Sequence, residues 1–313
     1  MEFLIGNTFY FDWEVRLMEW MQANLGPVGE TLAGIASFLG EQTIMVLILG
    51  FLYWCWDKEY GKFVGLNIFA VSVWNPMLKN ICLRRRPYMD HSSLMCLRPV
   101  EPGADLMDVN AQGYSFPSGH SSSAAAVYGS LAAYQKRGTK ARRILTVLSV
   151  ILILAVGVSR LCVGVHYPTD VLCGWLLGLL AVLVVPMLRR VIKKDWIFYG
   201  LLILTSLPGF FYCTSTDYYT GFGMLLGMCA GIPFEEKVVR FENTRVWWKM
   251  LLRLAGGGVI YFGLNELLKL PFDAEFLAMN SFLPHLIRTL RYAIIVFVIT
   301  GVYPMAFSRE KKE

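Results

Sequence analysis

Residues 142–190 read RRILTVLSVILILAVGVSRLCVGVHYPTDVLCGWLLGLLAVLVVPMLRR, and this stretch decides the fold class. Two apolar segments, Arg142–Val163 and Tyr167–Leu188, are joined by a turn of a few residues. Each approaches or reaches the ~20 residues that carry a helix across ~30 Å of hydrocarbon. Arg160, His166 and Asp170 stand at the rims of these segments. An ionisable group at mid-depth of a spanning helix costs about 2.5–3.5 kcal/mol on insertion scales, so such groups are rarely idle. The stretch therefore predicts paired membrane-spanning helices with a polar site at the end they share.

The rest of the chain agrees. Of 313 residues, 56% are hydrophobic and 17% charged, with a mean hydropathy of +0.49, whereas a soluble domain carries about 25% charged residues. A large soluble all-α core would show amphipathic stripes rather than segments apolar all round. The net charge of +6 does not point to nucleic acid, because the basic residues cluster in short loops between apolar runs, as the positive-inside bias describes. The expected fold is all-α: a polytopic transmembrane helical bundle of about nine spans, with an N-terminal interfacial helix. The spans fall at about Thr43–Trp56, Lys62–Ile81, Ser118–Tyr134, Arg142–Val163, Tyr167–Leu188, Trp196–Cys213, Tyr218–Phe234, Trp247–Leu268 and Leu286–Phe307.

Residues 1–26 set Phe11, Trp13, Leu17, Met18, Trp20 and Met21 beside Asp12, Glu14, Arg16 and Glu19, which predicts a helix lying in the membrane interface on its tryptophans. Gly26-Pro27 punctuates it, and a short apolar helix over about Val28–Leu39 follows. Phe3–Tyr10 is apolar but lacks the basic flank and small-residue cleavage site of a signal peptide. With no Gly/Ser-rich linker and no internal repeat, the expected organisation has three parts. Residues 1–42 are N-terminal interfacial helices, 43–190 hold the polar motifs, and 191–313 are additional C-terminal transmembrane helices of the same membrane domain.

Loop charge orients the bundle. Residues 135–143 (QKRGTKARR), 189–195 (RRVIKKD), 235–249 and the tail SREKKE are rich in Lys and Arg, and with nine spans they share one side with the DKEYGK turn. That side is expected to be cytoplasmic, together with the C-terminus. The opposite, extracytoplasmic side receives the 82–117 loop and the 163–167 turn, and with them all the polar motifs. Seven cysteines show no CxxC pair and no metal-like cluster. Cys82 and Cys96 flank the long loop, either as two free thiols or as a pair if that loop is extracytoplasmic.

Two further pieces complete the site. Lys79–Pro87 reads KNICLRRRP, with Lys79 and Arg86 seven apart, near two helical turns if the helix persists, so that both can face one pocket. Arg grips phosphate oxygens in a planar bidentate fashion and Lys supplies a compact charge. Arg84 and Arg85 read as a solvated basic patch or a lipid-headgroup contact, while Pro87 fixes where the chain leaves the helix at Arg86. Pro117-Ser118-Gly119-His120 stands where a loop becomes a span. Free backbone N–H groups at a helix start make an anion site there, and His120 is placed beside the anion to protonate a leaving group. Asp170 lies four residues beyond His166, so its carboxylate can accept an imidazole N–H, fix the tautomer and raise the basicity of the other nitrogen. His91 and His285 have no matched partners and read as structural or surface residues. No HExxH and no carboxylate cluster points to a metal.

KNICLRRRP, PSGH and SRLCVGVHYPTD together resemble the three-part signature K-x6-RP, PSGH and SR-x5-H-x3-D of the type 2 phosphatidic acid phosphatase superfamily. Every fixed position is present, in order, between Lys79 and Asp170. The resemblance implies a metal-independent membrane phosphatase without cofactor. In it His166 attacks phosphorus to form a phosphohistidine, Asp170 orients it and His120 protonates the leaving alcohol. Lys79, Arg86, Ser118, Gly119 and Arg160 would hold the phosphate, and water would release it from His166 with His120 as base. The expected partners are the bilayer and a lipid-phosphate substrate in a bacterial plasma membrane, such as a polyprenyl pyrophosphate, a phosphatidate-like lipid or a sphingoid phosphate.

Bacterial lipid phosphatases of this superfamily typically stop at six spans, and the nine-span plan is similar to glucose-6-phosphatase and sphingosine-1-phosphate phosphatases. A sugar-phosphate phosphatase and a non-catalytic lipid-phosphate transporter or binding protein are the alternatives. Binding alone would need only the cations, not His120, His166 and Asp170. Vanadium haloperoxidases share the motifs but are expected as soluble proteins. Asp90, Glu101, Asp105 and Asp108 in the 87–116 loop either disfavour extra substrate charge or engage a polar headgroup.

Overall fold

The computed structural model describes residues 5–307, so the basic tail Ser308–Glu313 lies outside the described residues. Within them the chain is helical and has no named strand, with a single isolated bridge from Asn7 to Arg84. Each of the nine expected segments falls on helix. Among the described residues three helices are long and apolar enough to cross a membrane: Lys140–Cys162, Pro168–Val191 and Phe282–Ala306; Gly26–Phe38 with Gln42–Trp56 makes a fourth if counted as one span. The others are shorter or more polar than the sequence reading allowed for. The helix from Gly119 has 16 residues rich in Ser and Ala, and that from Lys58 carries Lys62, Asn67, Asn75 and Lys79.

The chain divides into two compact units, one formed by residues up to Met45 with Trp74–Leu183, the other by Val46–Val73 with residues from Val184 onward. In the first unit α1 (Asp12–Ala23) begins with a capping device: Phe11 N–H donates to the Glu14 carboxylate at 2.9 Å. Glu14 and Met18 of α1 are buried while Trp13 and Trp20 are exposed. Met18 packs with Leu94, Leu161, Tyr167 and Val171. Helix α2 (Gly26–Phe38), with Pro27 in its first turn, is followed by α3 (Gln42–Gly50) and a π-helical turn, Phe51–Trp56.

Helix α4 (Lys58–Cys82) ends where Leu83 takes a left-handed φ of 52°. The chain then runs extended to the short α5 (Pro87–Asp90) and, after a loop, the short α6 (Val109–Gln112). Helix α7 (Gly119–Tyr134) is capped by Ser118, whose Oγ accepts from Ser121 N–H, and α8 (Lys140–Cys162) by Thr139, whose hydroxyl accepts from Arg142 N–H. Helix α9 (Pro168–Val191) follows a turn in which Gly164 has φ 79°; a side chain there would collide with the Met95 carbonyl.

Helices α7 and α9 meet through small residues. A Cβ on Gly174 would stand 2.6 Å from the Ser118 carbonyl oxygen, and one on Gly178 would stand 2.6 Å from Ala125 Cβ and collide with the Ser122 carbonyl. This is the small-xxx-small packing that lets backbones in a membrane approach closely. Gly178→Leu is accordingly expected to destabilise the protein by about 3 kcal/mol, seen as a lower unfolding midpoint in detergent. An unchanged midpoint would mean that this contact is not made.

The second unit holds α10 (Asp195–Ser206), α11 (Thr216–Phe234), α12 (Trp247–Leu267), the short α13 (Ala274–Ala278) and α14 (Phe282–Phe297). Helix α11 packs along α14. The amphipathic segment Gly231–Glu242 forms an ionic anchor: buried Glu235 pairs with Lys58 at 2.9 Å, and Glu236 with Lys62 at 2.7 Å. All seven cysteines are free, Cys82 and Cys96 included.

Candidate active site

The polar pieces converge within the first unit. Asp170 closes the first turn of α9, its Oδ2 accepting from Tyr167 N–H at 2.8 Å, and the same oxygen faces His166 Nδ1 at 3.4 Å. The four-residue spacing would suit one helix, but α9 starts at Pro168 and His166 stands in the turn just before it. The two meet because the capping geometry turns the carboxylate back towards the preceding residues. His166 is 2% exposed and Asp170 0%.

Three cations reach this turn from three places. Lys79, near the end of α4, donates to the Tyr114 carbonyl at 3.1 Å. Arg86, on the extended segment, donates from Nε to the Gln112 carbonyl at 2.9 Å and from Nη1 to the Val165 carbonyl, beside His166, at 3.0 Å. The two-helical-turn rationale for Lys79 and Arg86 does not hold, since the helix ends at Cys82, but both charges still act on His166. Arg160, near the end of α8, is buried; it donates from Nη1 to Ser37 Oγ, and its buried Nε makes no hydrogen bond. Burial, and then the charges of Arg86, Arg160 and Lys79, hold the His166 imidazole well below its ordinary range.

The PSGH segment is tied to both neighbours. Ser118 N–H donates to the Asp170 carbonyl at 2.9 Å, and Asn75 of α4 donates to the Pro117 carbonyl at 3.3 Å and to Ser122 Oγ at 3.1 Å. Gly119 starts α7, and a Cβ on it would have only Asn75 Oδ1 near it, at 3.8 Å. His120, half-buried, lies against the turn before α3: a Cβ on Gly40 would stand 3.2 Å from its Cδ2. Buried N–H groups, a guanidinium with an unpaired nitrogen and a neutral imidazole form an arrangement that can take up an oxyanion.

Arg84 departs from the sequence reading. It is not a solvated patch; at 1% exposure it is among the most buried large side chains of the protein. Its Nη1 donates to Asp170 Oδ1 at 2.7 Å and its Nη2 to Glu14 Oε2 at 2.9 Å, and its guanidinium lies 3.9 Å from the Tyr167 ring centre. The extended backbone after Leu83 explains this, because alternate residues share a face. Arg84 and Arg86 turn inward, whereas Arg85 turns outward to Asp90 at 2.7 Å. Nothing in the local sequence separates Arg84 from Arg85; its partners lie 70 and 86 residues away.

Gln112 was also missed, and it carries no sequence signal. Fully buried, it accepts from Val100 and Glu101 N–H groups and donates to the Glu101 carbonyl, knotting the long loop beside Arg86. Among the loop acids, Asp90 pairs with Arg85, and Asp105 and Asp108 accept from backbone N–H groups of their own turns. His91 lies edge-on to Tyr10 and Tyr167, and His285 stacks on Tyr219 and meets Asn280 at 2.8 Å.

A helical membrane protein with this convergence has known relatives. The PAP2 superfamily model matches residues 60–194, which include all three motifs, and the model of the PAP2 superfamily phosphatase transmembrane extension matches residues 219–312. Phosphatidylglycerophosphatase B of Bacillus subtilis (strain 168) is 30% identical over 171 residues, covering 53% of this chain and 75% of that protein. The crystal structure of the first transmembrane PAP2 type phosphatidylglycerolphosphate phosphatase from Bacillus subtilis aligns over 58% of this chain and 87% of that one, at 24% identity and a TM-score of 0.45. The chain is a membrane phosphatase that belongs to the PAP2 superfamily.

Proposed function

We propose that this protein hydrolyses a lipid-borne phosphate or pyrophosphate through a phosphohistidine on His166, without a metal. With the imidazole proton on Nδ1 facing Asp170, Nε2 carries the lone pair that attacks phosphorus. The P–O bond to the leaving group breaks as the P–N bond forms, and His120 gives its proton to the departing oxygen. Water then attacks phosphorus, His120 takes its proton, and the P–N bond breaks to release phosphate. Lys79, Arg86 and Arg160, with the backbone N–H groups after Ser118, hold the equatorial oxygens.

The observation that carries this reading is the buried His166–Asp170 pair beside Arg160, whose own buried Nε makes no hydrogen bond. A purely anion-binding protein needs the guanidinium but has no use for an imidazole held by a carboxylate. The likeness to phosphatidylglycerophosphatase B favours a phosphatidylglycerophosphate-like monoester among the candidate substrates. We further assign residues 43–190 as the phosphatase core within a nine-span bundle, with 1–42 at the membrane interface and 191–313 as further spans of the same domain. The loop charges support a site on the extracytoplasmic face and a C-terminus in the cytoplasm.

The test is phosphate release by the purified protein from phosphatidylglycerophosphate, phosphatidate, a polyprenyl pyrophosphate, a sphingoid phosphate and a sugar phosphate, each with excess EDTA. Release from at least one lipid, unaffected by EDTA, is expected. Release from the sugar phosphate alone, or loss of all release in EDTA, would overturn the reading.

A further inference from the structure

Asp170 touches more than His166. Its Oδ1 is held by Arg84 Nη1 at 2.7 Å, and the same nitrogen donates to Thr169 Oγ1 at 2.7 Å. On its far side Arg84 Nη2 donates to Glu14 Oε2 at 2.9 Å. Glu14 reaches across from α1: its Oε1 accepts from Thr169 N–H at 2.9 Å and from Thr169 Oγ1 at 2.6 Å. Thr169 is the second residue of α9, so its N–H is one of the donors that a helix start leaves without an intrahelical acceptor. A carboxylate on another helix thus caps the helix that follows the His166 turn.

Glu14, Arg84 and Asp170 alternate in charge and are all 0–1% exposed. Within this row the Asp170 carboxylate is held on both edges: Oδ1 by Arg84, Oδ2 by Tyr167 N–H and His166. Its plane, and hence the direction of the bond to His166, depends on where Arg84 sits. Arg84 in turn is fixed by Glu14 and by the rings of Tyr167 and Phe9, at 3.9 and 4.7 Å. Burial raises the Glu14 carboxyl, but the hydrogen bonds from Thr169 and Phe11 and the charge of Arg84 outweigh it and hold it below the usual carboxylate range. Glu14 therefore stays ionised at neutral pH.

We propose that Glu14 and Arg84 are positioning residues for the reaction, acting through Asp170 to aim His166 at phosphorus. The N-terminal helix α1 is then a working part of the site rather than a membrane anchor alone. Neither residue needs to touch substrate, and the phosphate-holding cations are separate from Arg84. The proposal rests on His166 being the nucleophile.

The experiment compares kcat and KM for a hydrolysed lipid phosphate in wild type, Glu14→Gln, Arg84→Lys and Asp170→Asn, and in Glu14→Gln combined with Asp170→Asn. Glu14→Gln keeps the shape of the side chain but removes its charge and replaces one accepting oxygen with an NH2 group, which cannot accept from the donors that Glu14 meets, Phe11 N–H and Arg84 Nη2 at one oxygen and Thr169 at the other. It is expected to lower kcat about tenfold with KM little changed, as for an interaction realised only in the transition state. In the Asp170→Asn background the same change is expected to lower kcat less than about twofold, because the path it acts through is already cut. Arg84→Lys, which keeps the charge without the fork, is expected to lower kcat more than Glu14→Gln.

Equal losses from Glu14→Gln in both backgrounds would mark a merely structural role and overturn the proposal. Wild-type kcat in both Glu14→Gln and Arg84→Lys would overturn it as well. His166→Ala is run alongside: activity retained there removes the nucleophile reading itself, whereas an inactive His166→Ala with unaffected Glu14 and Arg84 variants removes only this inference.

Discussion

His166→Ala is expected to lower kcat by at least about 10⁴-fold, the scale on which covalent hydrolases lose activity when the nucleophile is removed. The protein should stay folded, because the imidazole contributes one long contact, 3.4 Å to Asp170, while that carboxylate keeps Tyr167 N–H and Arg84. The pH dependence carries a signature of the same residue. Burial, followed by Arg86, Arg160 and Lys79, depresses the His166 pKa well below 6.5, so this imidazole is neutral at pH 7 and remains so through mildly acid conditions. The acid limb of kcat/KM belonging to this group is therefore expected below pH 6.5. The stability linkage has the matching sign. An imidazole depressed in the folded state binds its proton more readily when unfolded, so its contribution is intact above about pH 6.5 and is lost as pH falls towards the folded value.

Asp170→Ala is expected to combine the second largest loss of activity with a large loss of stability. A carboxylate that orients a catalytic imidazole is worth about 10⁴ in kcat in the best-studied hydrolase geometry. The stability cost arises elsewhere. Removing Asp170 leaves Arg84, 1% exposed, with one carboxylate instead of two and leaves Tyr167 N–H without its acceptor. Breaking a buried ion pair from one side costs about 3–5 kcal/mol, and the remaining bond to Glu14 puts the expected value near 3 kcal/mol. Asp170→Asn keeps the volume and an acceptor, so a smaller drop in unfolding midpoint with a similar loss of kcat is expected. Equal midpoints for wild type and Asp170→Ala would contradict the buried pairing.

How much of this was legible follows from what each residue needed to be recognised. Lys79, Arg86, Ser118, Gly119, His120, Arg160, His166 and Asp170 stand in three short pieces whose spacing is local, and the structure brings the three together within one unit. The long helices were legible for the same reason, since apolar runs such as residues 144–158 admit few alternatives. Arg84 was misread because its burial depends on Glu14 and Asp170, and a contact spanning 70 residues leaves no mark in the RRR run. The interfacial reading of α1 rested on its tryptophans, which are indeed exposed, and overlooked that the opposite face buries Glu14. The Gly174-xxx-Gly178 spacing was visible in the sequence, but its meaning required knowing that α7 is the helix laid against it.

The central claim is a covalent bond between phosphorus and His166. The direct measurement mixes the purified protein with a lipid phosphate carrying ³²P, stops the reaction during turnover with base, and follows the label on the protein. The expected result is a label on the protein that survives alkali, is lost in acid, forms in the presence of EDTA and is absent from His166→Ala. Label of the same lability in His166→Ala, or none on the wild-type protein while phosphate is released at full rate, would contradict the account.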